Sequence, residues 1–100
     1  MAKYRMTVFS NPVAGKEAEY NRWYEEQHLS DVCAVPGFVS AERYELSGDG
    51  PHRYAAIYDI ETDDIDATLA ELHGRAETGA MVLSDAIDLA GVDARVWKMR

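Results

Sequence analysis

Residues 23–38, "WYEEQHLSDVCAVPGF", gather the side chains best suited to chemistry. Gln27, His28 and Asp31 fall on or beside the helical face that carries Trp23 and Tyr24. Imidazole titrates near neutrality and can serve as a general acid or base. Asp31, three residues on, is within reach of it on a helix, where a carboxylate would fix the tautomer and raise basicity. A histidine here could instead cap helix-end carbonyls, where positive charge is favoured. Gln27 and Asn11 could each bind a carbonyl or hydroxyl, although Asn11 before Pro12 also suits a turn. Tyr20, Trp23, Tyr24, Tyr44 and Tyr58 are able to line an apolar pocket or simply to pack a core. Arg43 could hold an anionic group or pair with an acid across a hairpin. The spacing identifies His28 and Asp31 as catalytic candidates, with Asn11, Tyr20, Trp23, Tyr24, Gln27, Tyr44 and Tyr58 as candidate substrate contacts.

Metal and cofactor chemistry find no such foothold. His28, His52 and His73 lie far apart, and none has a second histidine at helical ligand spacing. Cys33 is the sole cysteine, which excludes an intrachain disulfide and a multi-thiolate zinc site. Its apolar neighbours, Val32 to Val35, suit a buried thiol. Phosphate-cradling loops and nucleophile elbows are absent, and nothing marks a haem ligand. The expectation is chemistry with no metal and no cofactor.

Bulk properties restrict the partners. A net charge of −8, from 18 acidic and 10 basic residues, disfavours nucleic acid, which needs a basic surface. No apolar run is long enough to cross a bilayer, and "MAKYRMTVFS" lacks the apolar core of a secretory signal. A soluble cytoplasmic protein, with no membrane or nucleic-acid partner, is expected. A chain of 100 residues fits one domain, spanning 1–100, but gives a marginal core that a dimer would support.

The elements that must position these residues follow from periodicity. Alternation predicts a strand over 3–10, with Tyr4, Met6 and Val8 opposite Phe9. "NPVAG" breaks it. Residues 16–28 read as a helix whose apolar arc holds Tyr20, Trp23 and Tyr24, with Arg22, Glu25 and Glu26 opposite. Leu29 points with the charged side, so the regular helix should end or bend near His28, and Ser30 would cap a short second turn before Pro36-Gly37. Strands are expected over 38–47 and 52–61, joined by the "GDGP" turn. A second helix begins at "TDDI", with Thr62 or Asp63 as N-cap and Ile65, Leu69 and Leu72 as its apolar stripe. A last strand spans 92–99. The order β-α-β-β-α-β is the ferredoxin-like arrangement, an α+β fold with a four-stranded antiparallel sheet and both helices on one face. Apolar residues occur on both faces of most strands: Phe9, Ala55, Ile57 and Trp97 lie out of phase with the core set. A second copy of the chain is the simplest cover for the other face. Two sheets face to face would make a dimeric α/β barrel.

The first half of the chain also resembles the EthD-like family of the dimeric α/β-barrel superfamily. The matching positions are Asn11, Pro12 and Gly15, then Tyr20, Asn21, Trp23, Tyr24, His28, Leu29 and Asp31, then Val35, Pro36, Gly37 and Phe38, and finally Arg43-Tyr44. Many relatives carry proline where this chain has Ser30. The resemblance implies a homodimer, a cavity between sheet and helices, and His28 as the centre of any chemistry. It implies no single reaction, since proteins on this scaffold include cofactor-free monooxygenases, polyketide cyclases and dehydratases. Three alternatives remain at this point. One is a cofactor-independent enzyme (lyase, cyclase, isomerase or monooxygenase) acting on a hydrophobic aromatic or polyketide-like molecule. Another is a non-catalytic small-molecule-binding or accessory homodimer. The third is a structural dimer filled by its own side chains.

Overall fold

The computed structural model describes all residues, Met1–Arg100. Strand β1 (Ala2–Ser10) leads to helix α1 (Glu17–Trp23), which runs through a π-helical turn (Tyr24–His28) into α2 (Leu29–Cys33). Strands β2 (Phe38–Glu45) and β3 (Tyr54–Thr62) form a hairpin, followed by helix α3 (Ile65–Thr78), a 3-10 turn (Leu89–Gly91) and β4 (Asp93–Lys98). The sheet is antiparallel in the order β2-β3-β1-β4. This is the ferredoxin-like α+β fold that alternation and element order predict. No helix is long and apolar enough to cross a membrane.

The register divides the sheet cleanly. Tyr4, Met6 and Val8 of β1 pair opposite Ile60, Tyr58 and Ala56, on the face beneath the helices. Tyr54, Ala56, Tyr58 and Ile60 are all buried there, with Phe38 from β2 and Tyr20, Trp23, Tyr24, Val32 and Val35 from above. Burying aromatic rings of this size supplies most of the core's stabilisation, at about 25 cal/mol per Å² of apolar surface. The opposite face is more polar than the alternation alone suggests. Phe9, Ala55, Ile57 and Trp97 are interleaved there with an Arg5–Asp59 ion pair, Ser40, Glu42 and Arg95.

Three local expectations are corrected. Leu29 does not point with the charged side: it is half-buried against the core. The cause is the π-helical turn, in which the Leu29 N–H donates to the Tyr24 carbonyl five residues back. One extra residue in the turn delays the helical phase, so Leu29, Val32 and Val35 face inward after it and Gln27 rotates away. Ser30 therefore caps nothing; the helix passes through it, and it is exposed. At α3 the N-cap is Asp64, whose carboxylate accepts from the Ala67 N–H at 3.1 Å. Thr62 instead takes the Asp64 N–H and the Thr68 hydroxyl, bracing the strand end against the helix.

Candidate functional site

The π-helical turn falls where the first helix has presented three large rings to the sheet and keeps its inward face through Leu29, Val32 and Val35. Tyr20, Trp23 and Tyr24 occupy consecutive inward positions, and the inserted residue brings His28 beside them. The His28 ring stacks on Trp23, with centroids 4.3 Å apart, and meets the Tyr24 ring edge-on at 5.2 Å. Its Nδ1 is buried and has no hydrogen-bond partner. Burial lowers the His28 pKa to about 4, against a smaller upward pull from the Asp31 carboxylate. The expected Asp–His hydrogen bond is absent, so Asp31 acts on the ring through space only. The imidazole is neutral at ordinary pH, a hydrogen-bonding group and a weak base.

Beneath Tyr24 lies a second polar cluster. Arg43 rises from β2 with its guanidinium carbon 4.5 Å from the Tyr24 ring centroid, and 5.4 Å and 5.3 Å from those of Tyr20 and Tyr54. It donates to Glu25 at 2.9 Å and to Asn21 Oδ1 at 2.8 Å, both on the overlying helix rather than across the hairpin. Its Nε is buried with no partner. The Tyr58 hydroxyl is likewise buried and unpartnered, and burial raises its pKa far above the phenolic norm. Tyr24 is also pushed up, to about 12, chiefly by burial, with Ser10 pulling the other way. Ser10 Oγ lies 2.7 Å from the Tyr20 hydroxyl, anchoring that ring to β1. Tyr24 and Tyr58 are therefore neutral donors and acceptors.

The structure brings His28, Asp31, Trp23, Tyr24, Tyr20 and Tyr58 to the same sheet–helix layer. It places three other sequence candidates elsewhere. Asn11 pins the β2–β3 turn, its Nδ2 donating to the Pro51 carbonyl at 2.9 Å and its Oδ1 accepting from the Arg53 N–H at 2.8 Å. Tyr44 stands on the outer sheet face, its hydroxyl donating to Glu42, and it also borders the cleft at Arg43. Gln27 lines a separate cleft of 550 Å³ between the first helix and residues 82–85. Trp23 borders that cleft too, while its indole N–H donates to the Val82 carbonyl at 3.1 Å. A 290 Å³ cleft opens instead at Arg43, walled by Asn21, Glu25 and Tyr54. None of the five principal clefts is lined by His28.

Two residues of this site are not among the sequence candidates. Asn21 looks like a solvated helix position, yet it bridges Arg43 and the Tyr54 hydroxyl. Tyr54 shares the alternation of Tyr58, which is the signal that marks it, and its hydroxyl donates to Glu17. That bond and the nearby Arg53 guanidinium hold the Glu17 carboxyl below its usual range. Among the described residues, no group of three or more His, Cys, Asp or Glu side chains could hold a metal.

No family model matches the chain, and no curated protein does. The EthD-like resemblance therefore rests on the residues of the first half alone. Solved structures do match, across nearly the whole length. A protein of Shewanella loihica PV-4, provisionally assigned as a monooxygenase, is 12% identical over 100% of this chain and 97% of its own, with a TM-score of 0.68. A NIPSNAP family protein of Agrobacterium tumefaciens is 15% identical over 99% and 86%, at 0.62. SnoaB of Streptomyces nogalater, a cofactor-independent oxygenase, is 18% identical over 99% and 93%, at 0.55. At such identities the likeness is one of fold: the chain has the ferredoxin-like architecture that monooxygenase-type proteins also use.

Proposed function

We propose that this protein is a small cofactor-independent enzyme acting on a hydrophobic aromatic or polyketide-like molecule. The observation that carries the proposal is the neutral, unpartnered Nδ1 of His28, on a ring packed against Trp23 and Tyr24 at a π-helical turn. Helical insertions of this kind recur at working sites because they aim one side chain away from the regular face. The role is proton transfer. His28 takes the proton of a hydroxyl, or of a carbon beside a carbonyl, leaving an electron-rich enolate or phenolate. The Asp31 charge favours the imidazolium as it forms, while Tyr20, Trp23 and Tyr24 hold the apolar body. A base of this strength works only if the product oxyanion is also held, so substrates carrying a conjugated carbonyl are expected.

The resemblance to EthD-like proteins and the fold shared with oxygenases support this class of chemistry, with isomerase, cyclase and lyase outcomes open to the same first step. The assembly proposed is a homodimer formed through the outer sheet face, where Trp97 is 54% exposed and no helix provides cover. The test is turnover of a panel of hydroxylated aromatic ketones under air, followed by absorbance and mass. Wild type should convert at least one member, and folded His28→Ala should not. Equal turnover by the variant would overturn the proposal. The cleft at Arg43 favours a second reading, non-catalytic binding of the same ligand class, which a bound but unconverted ketone would support.

A further inference from the structure

Arg43 Nε and the Tyr58 hydroxyl are two polar atoms left unpaired inside the same layer. Arg43 pairs with Ala56 and Tyr58 with Ala41, so the two side chains are diagonal neighbours on the inner sheet face. Diagonal pairs of this kind lie within reach of long side chains. The Arg43 side chain is 11% exposed and the Tyr58 residue 1% exposed. The rest of the guanidinium is committed: Glu25 and Asn21 take its two terminal nitrogens, and three tyrosine rings surround its carbon. That fixes where Nε–H stands. Leaving buried donors unsatisfied is costly, which a fold tolerates only for a reason. The Arg43 side chain also walls a 290 Å³ cleft with Asn21, Glu25 and Tyr54, so one of the two donors belongs to a residue that borders solvent.

We infer that Arg43 Nε–H and the Tyr58 hydroxyl form a carbonyl-binding subsite, donating together to one ketone or enolate oxygen of a bound aromatic molecule. The subsite rests on the proposed function and deepens it: it supplies the oxyanion partner that a weak imidazole base requires. A single acceptor with two lone pairs fits two donors. A hydrocarbon of the same shape would leave both donors unpaired and be rejected. Neither donor needs to move a proton; both are binding residues.

The experiment compares α-tetralone with tetralin, which share a bicyclic skeleton and differ in the carbonyl, titrated calorimetrically into the full-length protein. Wild type should prefer the ketone by at least about tenfold. Tyr58→Phe should erase most of that preference while melting at or above the wild-type temperature, since it deletes an unpaired buried hydroxyl. Arg43→Lys, which keeps the charge but loses Nε, should show the same loss of preference. A wild type that binds the two probes equally, or binds neither, would overturn the subsite, as would a preference that survives Tyr58→Phe. His28→Ala separates this inference from the one beneath it. A tetralone preference alongside turnover untouched by His28→Ala would overturn proton transfer alone. Absent preference alongside turnover abolished by His28→Ala would overturn the subsite alone.

Discussion

His28 is the residue at which sequence and surroundings disagree most. Its type and its spacing to Asp31 suggest a basic, carboxylate-supported imidazole. Burial against Trp23 and Tyr24 gives the opposite result, a pKa near 4. Spacing cannot reveal that, because desolvation is set by rings from the preceding turns and by the sheet below. The shift has a consequence for stability. The unfolded chain binds a proton at this histidine below pH 6.5, whereas the folded chain resists until about pH 4. Stability is thus fully present above 6.5 and lost as pH falls towards 4, by about 3 kcal/mol. Denaturant midpoints across that range should fall more steeply for wild type than for His28→Gln. Parallel curves would show that His28 is not buried as described. Asp31→Asn removes the one upward pull and should lower the His28 pKa further, as read by imidazole proton shifts.

At the scale of elements, the strands were legible because alternation and burial coincide. Tyr4, Met6 and Val8, with Tyr54, Tyr58 and Ile60, all lie on the predicted face. The π-helical turn was legible only as a defect, in the out-of-phase position of Leu29. A bend explains that defect as well as an insertion does, and only the Leu29–Tyr24 backbone bond separates them. Deleting the exposed Glu26 should restore α-helical phase. It should keep helical circular dichroism and the inward phase of Leu29, Val32 and Val35, so the melting temperature should change little, while the imidazole loses its place against Trp23 and Tyr24 and turnover falls. Gly37 ends this segment at φ +101°, where a Cβ would meet the Thr68 side chain at 3.2 Å. Gly37→Ala should therefore cost about 1–3 kcal/mol, measurable by chemical denaturation. A neutral result would mean that the Phe38 approach to α3 can relax freely.

Seen whole, the molecule covers one sheet face with helices and leaves the other bare. Apolar phase on both faces suggested this from Phe9, Ile57 and Trp97, but it did not show the Arg5–Asp59 pair among them. Ion pairs on a face shared by two copies would give register as well as adhesion. Ile57→Asp, at the centre of that face, should convert the proposed homodimer to monomer in sedimentation without unfolding it; a wild-type monomer would refute that assembly. The covered face is where the proposed chemistry would lie: the fold draws His28, Tyr24, Arg43 and Tyr58 from one π-helical turn and two strands into one layer. The most direct test is the imidazole nitrogen-15 spectrum of His28, recorded with and without an ortho-hydroxylated acetonaphthone. A neutral ring whose Nδ1 signal moves on ligand addition is the predicted result. A ring already protonated near neutral pH, or an Nδ1 signal indifferent to ligand, would contradict it.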